Sequence, residues 1–142
     1  MKYLKFLVLF MFAYPVFAEN TLDCDKAWTT IDINRCMSKD LNVAEQKMDK
    51  YLSKSKERYS EDSVILKSID EAQNKWLEYR NSHCGSVYDV WRDGTIRGAM
   101  SLGCKLELTH QRTKVIWAAY LTYMDSTKPI LPEPKEYKPK SW

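Results

Sequence analysis

The segment CGSVYDVWRDGTIRGAMSLGC, residues 84–104, decides the fold, because it holds all four glycines of the chain between two cysteines. Outside it there is no glycine, and no proline occurs from residue 19 to residue 128. Glycine and proline are the strongest breakers of regular structure, so their absence predicts helices on both sides of the segment. We therefore expect an all-α protein in which a glycine-bearing loop joins the second of three main helices to the third.

Apolar residues on both sides of this loop recur every three to four positions, as on the buried face of an amphipathic helix. The first helix is predicted to start with Thr29 or Thr30 as its N-cap. The second is predicted from residues 60–63 to Cys84, and the third from near Ser101 to about Met124. The predicted buried stripes are Ile33, Met37, Leu41, Ala44, Met48, Leu52 and Tyr59; Ile65, Ile69, Ala72, Trp76 and Tyr79; and Leu102, Leu106, Thr109, Ile116, Tyr120 and Tyr123.

The N-terminal residues predict export. Lys2 and Lys5 precede an apolar run over residues 6–16, and small or branched residues lead up to Ala18, which predicts a signal peptide cleaved after Ala18. The apolar run is only about half of the ~20 residues that a membrane anchor requires. We expect a signal peptide at 1–18, a helical domain at 19–126, and a flexible tail rich in proline and lysine at 127–142. The protein is then periplasmic or secreted, with no membrane insertion after cleavage.

The charge gives no sign of a nucleic-acid partner. Loss of Lys2 and Lys5 with the signal peptide lowers the net charge from +3 to +1, and residues 19–126 alone carry −1. A basic patch is the electrostatic footprint of phosphate binding, so this composition argues against such a partner.

The four cysteines are an even number in a chain that we expect to be exported, which predicts two disulfides. Two helices joined by a short turn run antiparallel, so Cys36, Cys84 and Cys104 should meet at one end of the bundle. We favour pairing Cys84 with Cys104 and Cys24 with Cys36, although this geometry also allows the crossed pairing. A zinc site built from these cysteines with His83 and His110 is the alternative, but their spacing fits no zinc pattern, and we expect no metal or cofactor.

Residues 72–84, AQNKWLEYRNSHC, resemble the A-Q-x-x-W-x-x-[YF]-R-x-x-x-C signature of the LprI-like lysozyme-inhibitor domain, a family of small exported bacterial proteins. Residues 93–96 resemble the family's Gly-Gly-Ser/Thr turn, Cys104 its last cysteine and residues 108–112 its L-T-x-x-R segment. Cys36 and residues 44–49 resemble its upstream positions. Asp93 replaces a glycine and Asp49 an asparagine. The resemblance covers roughly residues 24–121.

The residues that carry this signature have a structural interpretation as well. Large aromatic side chains at helical spacing usually fill a core, and an arginine beside them can reach carbonyl or carboxylate oxygens. We therefore interpret the signature residues as determinants of the fold: Gln73, Trp76, Tyr79, Arg80, Gly94, Thr109 and Arg112.

The resemblance implies a lysozyme inhibitor, which would have to block a sugar-binding cleft that contains two catalytic carboxylates. The loop between the cysteines offers side chains of the types that dominate binding energy at interfaces. The predicted contact residues are Tyr88, Trp91, Arg92, Thr95 and Arg97. The alternative for this loop is a solvated connector whose Trp91 packs back on the bundle. Asp23, Asp25 and Asp32 form an acidic cluster that suits either contact with a basic lysozyme or an ordinary solvated, helix-capping face.

A second functional hypothesis is an envelope structural or adaptor protein, whose partner is another envelope protein and whose tail, with Trp142, forms the contact surface. Catalysis is not expected. The sequence has no nucleophile motif, no glycine-rich phosphate loop followed by a helix, and no convergent set of carboxylates.

Overall fold

The computed structural model describes residues 22–140, so the predicted signal peptide, its cleavage site and Trp142 lie outside the described residues. Three helices form the fold: α1 is Thr30–Arg58, α2 is Ser63–Val90 and α3 is Arg97–Ile116. A π-helical turn, Trp117–Leu121, continues α3. The helix α3 packs along both α1 and α2. The predicted all-α bundle of three main helices is confirmed.

The first two helices begin where their capping residues predict. The Thr29 hydroxyl accepts a hydrogen bond from the Asp32 backbone N–H at 3.1 Å and donates to the Asp32 carboxylate at 2.7 Å. The Asp62 carboxylate accepts hydrogen bonds from the backbone N–H groups of Val64 and Ile65 at 3.0 and 3.1 Å. These side chains satisfy donors that the first turn of a helix leaves without partners. Only residues 59–62 connect α1 to α2, so the two helices form a hairpin.

The predicted loop over residues 84–104 is wrong in extent. The helix α2 continues beyond Cys84 to Val90, and α3 begins at Arg97, four residues before the predicted Ser101. Only residues 91–96 separate the two helices. The glycine-bearing connection is therefore much shorter than the sequence predicts.

The glycines do not break the helices as the sequence predicts. Three of the four lie inside helices, and none of the four has a positive φ. A glycine inside a helix costs about 1 kcal/mol relative to alanine. Gly98 has a packing role that offsets this cost, because a Cβ there would lie 2.7 Å from Asn34 Nδ2 of α1. A Cβ at Gly103 would lie 3.4 Å from Met37 Cε. The small residues let α3 approach α1 closely.

The start of α1, the end of α2 and the start of α3 meet at one end of the bundle, which we call the cysteine end. Cys24 is bonded to Cys36 and Cys84 to Cys104, so the predicted disulfide pairing is confirmed and the crossed pairing and zinc ligation by these cysteines are wrong. The Ser101 hydroxyl adds a hydrogen bond to the Cys84 carbonyl oxygen at 2.9 Å. The second disulfide joins α2 directly to α3 beside the six-residue loop.

The core consists of two apolar clusters, which are Met37, Ala44, Ala99 and Leu106 near the cysteine end, and Met48, Tyr51, Ile116 and Leu121 further along. The stripes predicted for α1 and α3 supply most of these residues. The prediction for α2 is correct for Ile69, which is buried, and for Trp76, which packs against the second cluster, but it is wrong for two other positions. The buried residues of α2 are Ile69, Gln73, Arg80 and Cys84, whereas Tyr79 is 53% exposed and Ala72 is exposed. The polar side chains of Gln73 and Arg80 are thus buried, whereas the aromatic side chain of Tyr79, which was predicted to be buried, is exposed.

The tail is extended along the bundle up to residue 140. Tyr51 of α1 donates its hydroxyl hydrogen bond to the Pro132 carbonyl at 2.8 Å, and Trp117 donates its Nε1–H to the Leu131 carbonyl at 2.8 Å. Further on, the Tyr137 ring stacks on His110 with 4.3 Å between centroids. Because the tail is not helical, its backbone carbonyl oxygens form no helical hydrogen bonds. Side chains of the bundle donate hydrogen bonds to two of them. These contacts hold residues 131–137 of the tail against the bundle.

Candidate functional site

The candidate site is the loop over residues 91–96 at the cysteine end. Three backbone hydrogen bonds fold it into successive turns: Arg92 N–H to the Asp89 carbonyl at 3.2 Å, Gly94 N–H to Trp91 at 3.0 Å, and Arg97 N–H to Gly94 at 3.4 Å. The Cys84–Cys104 disulfide fixes the two helices from which the loop emerges. A short loop with internal hydrogen bonds between two cross-linked helices has little freedom left to lose on binding.

The structure brings all five predicted contact residues to this end. Tyr88 lies in the last turn of α2 and Trp91 at its C-cap, Arg92 and Thr95 lie in the loop, and Arg97 opens α3. The Arg97 guanidinium carbon lies 4.8 Å from the centroid of the Tyr88 ring, a cation–π contact that orients both side chains. Trp91 is 43% exposed, so it neither packs fully on the bundle nor stands free of it.

Neither Arg92 nor Arg97 takes part in an ion pair within residues 22–140, but Arg97 contacts the Tyr88 ring, whereas Arg92 has no such ring contact there. Its charge and that of Arg97 are balanced by Asp89 and Asp93. The loop therefore offers a guanidinium group for a new carboxylate partner without presenting a strongly charged patch.

The acidic cluster at the start of the chain is engaged locally. Asp32 accepts a hydrogen bond from the hydroxyl of the N-cap Thr29 and lies 4.0 Å from the Arg35 guanidinium, and Asp23 pairs with Lys26 at 3.4 Å. The exposed Asp25 donates its backbone N–H to the Asp23 carboxylate at 3.1 Å. These contacts fit the solvated, helix-capping interpretation of the cluster.

Exposed apolar residues surround the loop, and sequence reasoning missed them. Trp28 is 85% exposed just before α1, and Ile31 is exposed in its first turn. At the end of α2, Val90 is 79% exposed, and Ile96 follows in the loop. Their position in the sequence indicates this exposure, because Trp28 and Ile31 lie outside the apolar stripe that starts at Ile33. A group of exposed large apolar residues is typical of an interaction surface.

Most of the signature residues lie away from this surface, in a polar network at the centre of the bundle. Arg80 donates from Nη1 to the Thr109 hydroxyl at 2.8 Å and pairs through Nη2 with Glu45 Oε1 at 2.8 Å, which joins α2 to α3 and α1. Arg112 donates from Nε to Gln73 Oε1 at 3.0 Å. These contacts support the interpretation of the signature as a set of fold determinants.

The Trp76 ring lies within this network and contacts both of its arginines. The guanidinium carbons of Arg80 and Arg112 lie 5.1 and 5.8 Å from the ring centroid. Burial lowers the pKa of Arg112 below its ordinary value, yet an arginine stays protonated near neutral pH. The remaining two signature residues stand apart from the network: Tyr79 stacks on His83 at the surface, and Gly94 is in the loop.

Two further classes of site were tested by geometry. Within residues 22–140, no three histidine, cysteine, aspartate or glutamate side chains come together as metal ligands would. In the same range, none of the helices combines the length and the apolar character that crossing a bilayer requires.

The described residues thus form a helical domain with two disulfides and a short, exposed aromatic and cationic loop at one end. Residues 24–115 match the family described as Lysozyme inhibitor LprI, and the chain belongs to this family. The match spans both disulfides, all of α2 and nearly all of α3, and it ends before the tail.

The chain is also similar to an uncharacterized protein of Rhizobium meliloti (strain 1021). The two are 28% identical over 102 residues, which cover 64% of this chain and 73% of that protein. No solved structure matches the chain. Membership of an inhibitor family agrees with the expected absence of catalysis, and the family is one of exported proteins.

Proposed function

We propose that this protein inhibits a lysozyme, of host or bacterial origin, by placing the loop of residues 91–96, with Tyr88 and Arg97, in the sugar-binding cleft. The observation that carries the proposal is the exposed Arg92 on a six-residue loop clamped between two helices that a disulfide joins. A lysozyme cleft contains two catalytic carboxylates. A guanidinium binds a carboxylate through two parallel hydrogen bonds, so Arg92 or Arg97 in the cleft would compete with substrate.

The apolar residues around the loop supply the remainder of the contact surface. Trp91 and Tyr88 are of the types that form the energetic centre of interfaces, and the exposed Trp28 and Ile31 lie at the same end. Burial of these side chains against the walls of the cleft would exclude water from the arginine–carboxylate pair and strengthen it.

Electrostatic steering contributes little in this proposal. Residues 19–126 carry a net charge of −1, and the acids of the loop balance its arginines. Association should therefore occur at the rate typical of unsteered proteins, about 10⁵–10⁷ M⁻¹s⁻¹, with a weak dependence on salt. Affinity would then depend on how slowly the complex dissociates.

The proposed location is the periplasm or the medium, after cleavage behind Ala18. The predicted signal peptide supports export, and two disulfides persist only in an oxidising compartment. In either place the inhibitor would meet an enzyme that cuts peptidoglycan.

The test is a titration of the oxidised protein, from residue 19 onwards, against chicken-type lysozyme while lysis of peptidoglycan is followed. We expect inhibition that saturates near one equivalent, and lysozymes of other types should be tried before a negative result is accepted. The double variant Arg92→Ala/Arg97→Ala should weaken inhibition by at least about tenfold.

The matched control is Lys67→Ala/Lys75→Ala, which removes the same charge from the exposed face of α2, where both lysines form surface ion pairs. Surface pairs of this kind contribute little to stability. Equal loss of inhibition in both double variants would show that net charge, and not the loop, determines binding.

The alternative function, an envelope adaptor that reaches its partner through the tail, has less support. The tail uses the Leu131 and Pro132 carbonyl oxygens and the Tyr137 ring to bind its own bundle. A segment engaged in this way has a shorter reach than a free one.

A further inference from the structure

A groove of about 950 Å³ runs between α1 and α3. It begins at Ile96, the last residue of the loop, and residues 137–140 of the tail form another of its walls. Its volume lies in the range of about 300–1,000 Å³ that small-molecule sites occupy. No residue of the polar network around Arg80 lines it, and it shares only Ile96 with the loop of residues 91–96.

The surface of the groove is mainly apolar. Met37, Ala99 and Leu106 are buried side chains along its floor, and Met100 adds a flexible thioether. Gly103 keeps the floor open, since a side chain there would project towards Met37. Methionine side chains adapt to the shape of an apolar occupant.

The charged side chains that line the groove around His110 and Tyr137, which we call its mouth, include one more cation than anions. Asp40 pairs with Lys140 at 3.9 Å, whereas Glu107 keeps its negative charge and accepts a hydrogen bond from the neutral Gln111 Nε2 at 2.7 Å. Lys47 and Lys138 also line the groove and belong to no ion pair within residues 22–140. An anionic group at the mouth would find two ammonium groups beside an apolar channel.

We propose that this groove binds a free, single-chain anionic amphiphile of the fatty-acid type, with its hydrocarbon chain between α1 and α3 and its carboxylate near Lys47 and Lys138. The apolar floor favours a hydrocarbon chain over a peptide, because a peptide brings backbone N–H and C=O groups that would lose water without gaining partners. A single continuous channel bounded by two helices and the tail suits one chain, whereas a membrane phospholipid would bring two.

His110 provides a spectroscopic reporter of the head group. It lines the groove and stacks on Tyr137, and its pKa lies below the ordinary 6.5 because of burial and of Lys47, against opposing contributions from Glu107 and Asp40. A bound carboxylate at this mouth would favour the imidazolium form and raise that pKa.

The experiment is a calorimetric titration of the oxidised protein, from residue 19 onwards, with dodecanoate and with dodecyltrimethylammonium, both below their micellar concentrations. We expect dodecanoate to bind with one molecule per chain, to raise the pKa of His110 in an NMR titration, and to bind at least about tenfold more tightly than the cation. Lys47→Gln/Lys138→Gln should reduce that preference.

Gly103→Leu should fill the groove and weaken dodecanoate binding by at least about tenfold. Its matched control is Gly85→Leu, the same change at a helical glycine of α2 where no atom lies within 4 Å of an added Cβ. If Gly103→Leu and Gly85→Leu bind dodecanoate equally well, the groove is not the binding site. If dodecanoate and dodecyltrimethylammonium bind with equal affinity, Lys47 and Lys138 do not recognise the head group. Binding to phosphatidylglycerol vesicles without binding of free dodecanoate would make the occupant a lipid surface and reject the proposal.

Discussion

At the scale of single residues, Arg80 connects all three helices from a buried position. Its guanidinium binds Thr109 of α3 and Glu45 of α1 while its own backbone belongs to α2. Replacement with leucine keeps the apolar stem but leaves the Thr109 hydroxyl and the Glu45 carboxylate without this donor. Hydrogen bonds to charged groups contribute about 1.5–3 kcal/mol, so Arg80→Leu should lower the free energy of unfolding by about 2–3 kcal/mol.

Urea unfolding of Arg80→Leu measures this effect, and Arg35→Leu is the control. Arg35 is exposed on α1, and its replacement should change stability by no more than about 0.5 kcal/mol. Lysozyme inhibition per folded molecule should be unchanged in both variants. An Arg80→Leu protein as stable as the Arg35→Leu protein would contradict a structural role for this signature position.

His110 predicts a pH dependence of stability. Its folded-state pKa lies below 6.5, mainly because burial removes the ring from water, so the unfolded chain binds more protons in the acidic window. Stability that is fully present above about pH 6.5 is therefore lost as the pH falls towards the folded-state pKa. Thermal unfolding between about pH 7 and pH 5 should show a smaller loss of stability for His110→Phe than for the wild type.

The control for this measurement is His83→Phe, since His83 also stacks on a tyrosine but is exposed on α2. This variant makes the same substitution at a surface ring, so a difference between the two variants isolates the effect of burying His110. Identical pH profiles for the His110→Phe and wild-type proteins would show that burial of this ring has no effect on stability.

At the scale of helices, the spacing of α1 and α3 depends on Gly98. A Cβ at this position would lie 2.7 Å from Asn34 Nδ2 and 3.1 Å from its Oδ1, so the whole Asn34 amide, whose Oδ1 is already buried, would have to shift. Gly98→Ala should therefore cost about 1–3 kcal/mol through overpacking. Gly85→Ala should have the opposite sign and stabilise α2 by up to about 1 kcal/mol, because no atom lies within 4 Å of its Cβ.

Melting temperatures of these two alanine variants measure the effect directly. The same substitution at two helical glycines separates helix propensity from packing, so opposite shifts would establish the close approach. A rise in melting temperature for both would show that the α1–α3 spacing adjusts without cost.

At the scale of the whole molecule, the sequence predicts the features that depend on local chemistry. Thr29 caps α1 as predicted, and the two disulfides close the short loops favoured for them. The predictions that failed depend on packing between elements. By residue type alone, a glycine is expected to break a helix, as at Gly85, Gly98 and Gly103. Whether such a glycine lies in a loop or at a close contact between helices depends on packing that the sequence does not show.

The same limit applies to α2 and to the tail. Tyr79 has the size of a core residue, yet the buried positions of α2 include Gln73 and Arg80, because their polar groups find partners on the other helices. For the candidate site, residue types alone led to the choice of Trp91, Arg92 and Arg97, and the structure places all three at the cysteine end. The position of Trp28 and Ile31 outside the apolar stripe of α1 was a signal of their exposure, but their location at the same end of the bundle depends on how the helices pack.

The tail links the stability of the whole molecule to the interpretation of its function. Truncation after Ser126 would remove the acceptors of the Tyr51 hydroxyl and the Trp117 indole N–H, together with the buried Pro134. Two lost hydrogen bonds and newly exposed apolar surface should cost about 2–4 kcal/mol. We expect a lower urea midpoint for the truncated protein.

Inhibition of lysozyme should survive this truncation at temperatures where the protein stays folded, because the tail contacts lie along α1 and α3 and not on residues 91–96. The control is the double variant Tyr51→Phe/Trp117→Phe, which removes the two donors while leaving the tail in place, and it should reproduce part of the stability loss. A truncated protein that is folded but no longer binds, beside an Arg92→Ala/Arg97→Ala protein that binds normally, would transfer the contact surface from the loop to the tail.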